Sequence, residues 1–262
     1  MEYLRSNMFS FDKPNEATYF DGGIASSSVD LALAARSRFG WAARVPRQTW
    51  QEYVLPYASV NEARTDWRQL MWNVFVKQPW LLKLSNDSSL ASVALALNQH
   101  MWADLRPGGA AIAFRSEQTP LIFDAMSTIA FGFASCTGIS ITYVNALRTI
   151  GIPARLVGTP AWHGKPKDGN HNWVEVWTGK EWQFIEGGPA GPGESFTNPC
   201  DKWFCHPDRF FRNGTGTRVF AAVYGIPTAA APHYPMSWDL GNRAIAGIDR
   251  SAYYDAVCSA CS

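Results

Sequence analysis

Cys136 and His171 are the residues whose types and spacing point most directly to chemistry. Cys136 starts a helix-forming run, and thirty-five residues later His171 opens a strand-like segment, HNWVEVW. A helix N-terminus leaves N–H groups unpaired and carries partial positive charge, so it favours a thiolate. An imidazole within hydrogen-bond reach can take the thiol proton and hold the ion pair. Gly132, Ser135, Thr137 and Gly138 surround the thiol with small side chains. They leave room for a substrate and suit a tight helix start whose N–H groups can face an oxyanion. Ser135 is expected to line that substrate site.

Four other histidines compete with His171: His100, His163, His206 and His233. His171 is preferred because it begins a strand directly after a Gly-Asn turn, where its ring can face a helix N-terminus. His163 lies in the loop AWHGKPKDG and is expected at the rim of a site. A catalytic imidazole also needs an acceptor for its second N–H, to fix tautomer and orientation. Glu175 shares a face with His171 but lies about 13 Å away along an extended strand. Asp168 and Asn170 are loop alternatives. Trp173 follows His171 by two positions and shares its face. Trp173 and Trp162 are expected to wall the substrate groove, with burial in the strand core as the competing use.

The elements that must position these groups are legible in outline. Residues 1–107 read mainly as helices: SSVDLALAARSRFG, RTDWRQLMWNVFVK and SSLASVALALNQHMW carry apolar residues at three- and four-residue spacing. Ser27, Ser28 and Asp87 are the expected N-caps. Residues 108–190 change character. A helix over about 136–150 ends in a Gly-Ile-Pro break, and three β-like segments follow: ARLVGTPAW, NHNWVEVW and EWQFIEG. Residues 191–262 hold one clear strand, TRVFAAVYG, and short helices near DKWFCHPDRFF and SAYYDAVCSA. A helix-to-sheet progression of this kind predicts an α+β fold, organised as a single domain over 1–262.

The stretches ASCTGISITYVNALRTIGIPARLVGTPAW, GNHNWVEVW and GKEWQFIEGGP resemble the transglutaminase-like superfamily. There a Cys begins a helix that ends in an LRxxGIPAR-like turn. A His follows in a His-x-Trp-x-Glu-Val strand, and an acid follows a Gly-x-x-Trp turn on the next strand. The resemblance covers roughly residues 130–190. It implies a transglutaminase/papain-like core, with a helical N-terminal layer packed on an antiparallel sheet. It also implies that Glu186, standing where the family usually has Asp, orients His171. Glu is one methylene longer, so the backbone must sit farther back, which Gly187-Gly188-Pro189 would allow. The run TWQEYVLPYASVNEARTDWR resembles, more loosely, the helical N-terminal part of bacterial proteins that carry this core.

Composition narrows the setting. The chain has 262 residues, 47% of them hydrophobic, with 12 Trp and 15 Phe, so a large core can form. A net charge of +1 gives no electrostatic preference for nucleic acid or anionic membranes. No apolar run approaches the roughly 18–20 residues of a membrane span. MEYLRSNMFSFDKP lacks the apolar centre of a secretory signal, whereas the sequons at Asn86 and Asn213 are compatible with export. The four remaining cysteines form two close pairs, Cys200/Cys205 and Cys258/Cys261. One free nucleophile plus an even remainder fits an oxidised, secreted enzyme. Bridges within or between the pairs are both open, and free thiols or zinc ligation are the alternative uses.

These readings predict acyl chemistry through a Cys136 thioester. The substrate is a peptide, or a small amide or ester, with hydrolysis favoured over transfer. No metal or organic cofactor is expected. A non-catalytic binding module on a degenerate core, and a small-molecule enzyme using the same thiol, are the alternatives.

Overall fold

The computed structural model describes residues 1–21, 23–117, 122–210, 216–229 and 232–261. The sequon at Asn213 lies outside the described residues. Among the described residues, three long helices dominate the first hundred positions: α1 (Ile24–Arg38), α2 (Trp67–Phe75) and α3 (Leu90–Asp104). A two-stranded parallel ribbon, β1 (Ala113–Phe114) with β2 (Phe133–Ala134), flanks the short helix α4 (Ala125–Phe131). The helix α5 (Cys136–Thr149) comes next. A five-stranded sheet follows: β3 (Ala154–Thr159), β4 (His171–Trp177), β5 (Trp182–Ile185), β6 (Phe220–Val223) and β7 (Ala246–Asp249). Its order is β5-β4-β3-β6-β7, antiparallel throughout. The helix α6 (Ser251–Cys258) closes the tail. The architecture is the expected α+β arrangement.

Helix α5 is the hub. Every residue from Thr137 to Thr149 is buried, the polar ones included. A helix apolar on only one face could not be enclosed this way, so its polar side chains need internal partners. Thr149 donates back to the Asn145 carbonyl, and Arg148 donates to the carbonyls of Tyr53, Ala58 and Ala154. Arg68 of α2 caps the C-terminal turn by donating to the Arg148 carbonyl at 2.7 Å, and the Trp41 indole donates to the Ile150 carbonyl at 3.0 Å. The Gly-Ile-Pro break is then steric. Gly151 has φ +81°, and a Cβ there would sit 2.4 Å from the Ala42 Cβ.

Several local expectations need correction. Ser27 and Ser28 lie inside α1, whose N-cap is Gly23. At α3 the cap is Ser89 rather than Asp87, its hydroxyl accepting from the Ser92 N–H. A serine run offers several equivalent caps, and tertiary packing selects among them. Strand β7 was not expected, because Ala-Gly-Ile-Asp is short and carries a central glycine. It forms because β6 offers it an unpaired edge.

Candidate active site

The N-terminal turn of α5 and the first turn of β4 are stapled side by side. Thr137 Oγ1 donates to Asn172 Oδ1 at 2.8 Å, and Ser140 Oγ donates to the Asn172 carbonyl at 3.1 Å. Asn172 Nδ2 in turn donates to the Tyr234 hydroxyl at 2.7 Å. These bonds place His171, one residue before Asn172, against Cys136. Two opposing effects act on the thiol. Burial pushes its pKa up, while the His171 ring and the Asn172 backbone N–H pull it down, and the net result lies below the usual thiol value. Cys136 is partly exposed and free of any disulfide.

His171 is 4% exposed and Glu186 1%. Nε2 of His171 lies 2.5 Å from Glu186 Oε1, which leaves Nδ1 as the ring nitrogen for the thiol side. Glu186 follows β5 directly, and β5 pairs with β4 through Val174 and Ile185. The glutamate backbone is set back against the helices: a Cβ on Gly187 would sit 2.5 Å from Ile139 Cγ2 and 2.9 Å from Trp102. Burial pushes the Glu186 carboxyl up to about 7, against the Glu194 carboxyl, the Trp203 indole and the Lys202 ammonium, which pull it down. The rival acids are engaged elsewhere. Glu175 is fully buried and pairs with Arg155 at 2.5 Å and Arg250 at 2.9 Å. Asp168 holds His163 Nδ1 at 2.8 Å.

A cavity of about 640 Å³ opens over the three residues. Ser135 lines it beside Cys136, and its hydroxyl is buried without a hydrogen-bond partner among the described residues. Asn170 also reaches the lining, from the loop that precedes β4. The expected tryptophan walls are not there. Trp173 is fully buried, its indole donating to the Tyr254 hydroxyl at 2.7 Å and its ring stacked on Phe204 at 4.5 Å. Trp162 is 2% exposed and stacks parallel to Trp173. Both form the packed floor under His171. Sharing a strand face with His171 did put Trp173 on the same side, but Tyr254 of α6 and Phe204 cover it there. The cavity's aromatic walls are Trp203, Trp238 and Phe114, which the sequence reading passed over. Trp203 meets the His171 ring edge-on at 4.9 Å. Its one sequence signal was an aromatic residue set between Cys200 and Cys205.

The cysteines form two disulfides between the pairs, Cys200–Cys261 and Cys205–Cys258. They fasten α6 to the segment that carries Trp203. Of the two pairings left open by the sequence, the cross-linked one is observed, and zinc ligation by these thiols is excluded.

The antiparallel sheet packed on the Cys-bearing helix defines a class, and sequence comparison agrees with it. Residues 85–186 match the family model of the transglutaminase-like superfamily, so this part of the chain is a transglutaminase-like core. Among solved structures, red sea bream transglutaminase is similar at 15% identity and a TM-score of 0.36, over 57% of this chain and 32% of that one. A candidate cysteine protease from Cytophaga hutchinsonii is similar at 15% identity and a TM-score of 0.36, over 75% of this chain and 62% of that one. The chain thus spans less than two thirds of either protein. No curated protein matches it.

Proposed function

We propose that the chain is a cysteine-dependent acyl-transfer enzyme, a hydrolase of amide or ester bonds, with Cys136 as nucleophile, His171 as general base and acid, and Glu186 as orienter. The observation that carries this reading is the 2.5 Å contact between Glu186 and the ring nitrogen of His171 that faces away from the thiol. The Cys136 thiolate attacks the substrate carbonyl carbon, and the developing oxyanion is met by the unpaired N–H groups at the start of α5. His171 gives its proton to the leaving amine or alkoxide, and a thioester forms. A water molecule then loses a proton to His171 and attacks the thioester. Collapse releases the acid and returns the proton to the Cys136–His171 pair. An amine in place of water gives transfer. The unpaired Ser135 hydroxyl supports a role in substrate contact.

The two disulfides support function in an oxidising compartment, and we infer secretion from them. Among the described residues no helix is long and apolar enough to cross a membrane.

The test is alkylation by iodoacetamide near pH 6, followed by intact mass and peptide mapping. An activated thiolate at Cys136 reacts readily there, whereas an ordinary thiol barely reacts. Cys136→Ala should abolish turnover of peptide, amide and ester libraries while leaving the melting temperature nearly intact. A thiol of ordinary reactivity would instead favour the binding-module reading, and full turnover in Cys136→Ala would remove the mechanism.

A further inference from the structure

The staple between α5 and β4 continues into a part of the chain that the reaction above leaves unused. Asn172 follows His171 on β4, so its side chain takes the opposite face of the strand, toward α5. Its Oδ1 accepts from Thr137, the residue after Cys136, at 2.8 Å. Its carbonyl accepts from Ser140, farther along α5, at 3.1 Å. Its Nδ2 donates to the Tyr234 hydroxyl at 2.7 Å, with the Val157 carbonyl next at 3.4 Å. Asn172 and Tyr234 are both buried, so no solvent stands ready to replace a lost partner.

Two strand glycines make room for this contact. Gly158 is the register partner of Asn172 on β3, and a Cβ there would sit 2.1 Å from Asn172 Nδ2. Gly247, in the middle of β7, lies against the Tyr234 backbone: a Cβ there would sit 3.0 Å from the Tyr234 nitrogen. Glycine inside a strand marks such a close approach. The Tyr234 N–H donates to the Ile245 carbonyl at 2.8 Å, which fixes the residue beside β7. Ser237 and Trp238, a little farther along the same segment, line the cavity, whereas Tyr234 does not. Tyr234 also lies outside the residues that match the family model.

We propose that Tyr234 is a positioning residue for the thiol reaction: its hydroxyl holds the Asn172 amide, and that amide holds the start of α5 against the start of β4, keeping Cys136 and His171 in register. The inference rests on the Cys136–His171 reading above. Removing the hydroxyl leaves an Nδ2 hydrogen with only the long Val157 contact. An amide that moves to recover a partner moves its Thr137 contact with it. Tyr234 suits the task because it stays neutral: burial, and then the charge on Cys136, push its phenol above the ordinary range. The other titratable groups around the thiol are His171 from β4, Glu186 behind it after β5, and Glu117 in the cavity lining.

The experiment uses the full chain with its disulfides intact and follows alkylation of Cys136 by iodoacetamide against pH. Tyr234→Phe keeps the ring and removes the hydroxyl. Alkylation near pH 6 should slow roughly tenfold in this variant. The two rates should converge above about pH 9, where an ordinary thiol is ionised as well. A Tyr234→Phe profile that superimposes on the wild type overturns the proposal, whatever happens to the melting temperature. A merely structural bond would lower stability and leave the thiol alone. If Tyr234→Phe does not fold, Tyr234→Phe/Asn172→Leu removes both ends of the bond and leaves no buried amide unpaired. It should show the same displaced profile, and a wild-type profile there overturns the proposal. Neither variant needs a substrate for this readout. Full turnover in Cys136→Ala would remove the proposed reaction, whereas superimposed alkylation profiles would remove the role of Tyr234, so the two failures are distinct.

Discussion

Glu186 is where the charge of the site is set. It is 1% exposed and held by one strong contact to His171. Glu186→Gln keeps the shape and removes the charge. We expect kcat to fall by roughly 10²–10⁴, as for orienting acids of triads, with the alkylation rate of Cys136 falling in parallel above about pH 7, where the carboxyl is ionised. The same carboxyl makes stability depend on pH. Its folded-state pKa is raised from 4.5 to about 7, so the folded chain binds this proton more tightly than the unfolded chain. That stabilisation is full below about pH 4.5 and is lost as pH rises to about 7. Melting temperatures between those limits should fall with pH, and less steeply in Glu186→Gln. At this scale the thiol and the imidazole were legible in the sequence, because a helix start and a strand start leave local marks. The walls were not. Alternation says which face Trp173 takes but cannot say whether that face meets a cavity or α6. Trp203 owes its place to covalent links with residues more than fifty positions downstream.

Strand β4 is the element on which site and core meet. Its first turn carries His171, and four residues along Glu175 is fully buried between two guanidinium groups. Arg155 is its register partner on β3. Arg250, just before α6, supplies the second contact, and the Tyr254 hydroxyl donates to the same carboxylate at 3.0 Å. This cluster ties β3, β4 and α6 together. Removing the charge leaves Arg155 buried and unmatched, which costs about 3–5 kcal/mol where a buried pair is broken. Glu175→Gln should lose stability of that order in chemical denaturation. The spacing argument that separated Glu175 from His171 held because strand rise is nearly constant. Strand β7 escaped notice for the converse reason. Four residues with a central glycine carry too little pattern, and only the free edge of β6 makes a strand of them.

Across the whole molecule, the disulfides join a tail helix to the wall of the cavity. The bridges span 61 and 53 residues, and their sulfurs are neighbours, Cys205 lying 3.9 Å from Cys261. Loops of that length lend each bridge up to about 4 kcal/mol by constraining the unfolded chain. The double variant Cys200→Ser/Cys261→Ser should lower stability by roughly 2–4 kcal/mol. It should also weaken substrate binding, since Trp203 loses an anchor beside His171. Thermal unfolding and the KM of any substrate found check the two effects separately. Intact mass before reduction should be four hydrogens lighter than after it. The even cysteine count announced such bridges, but their pairing depends on where α6 docks, which no local pattern encodes.

The placement of those bridges sets an order of events in the making of the protein. Cys258 and Cys261 follow Cys136, His171 and Glu186 in the chain, so a ribosome completes the reactive groups before it makes the fasteners of the wall around them. The nascent chain can bring thiol and imidazole together while the cavity still lacks its locked Trp203 side. The finished cleft then requires both release of the tail and an oxidant to close the bridges. Synthesis under reducing conditions would yield a chain with its reactive residues in place and an unfinished cleft. Oxidation of the four cysteines would complete it.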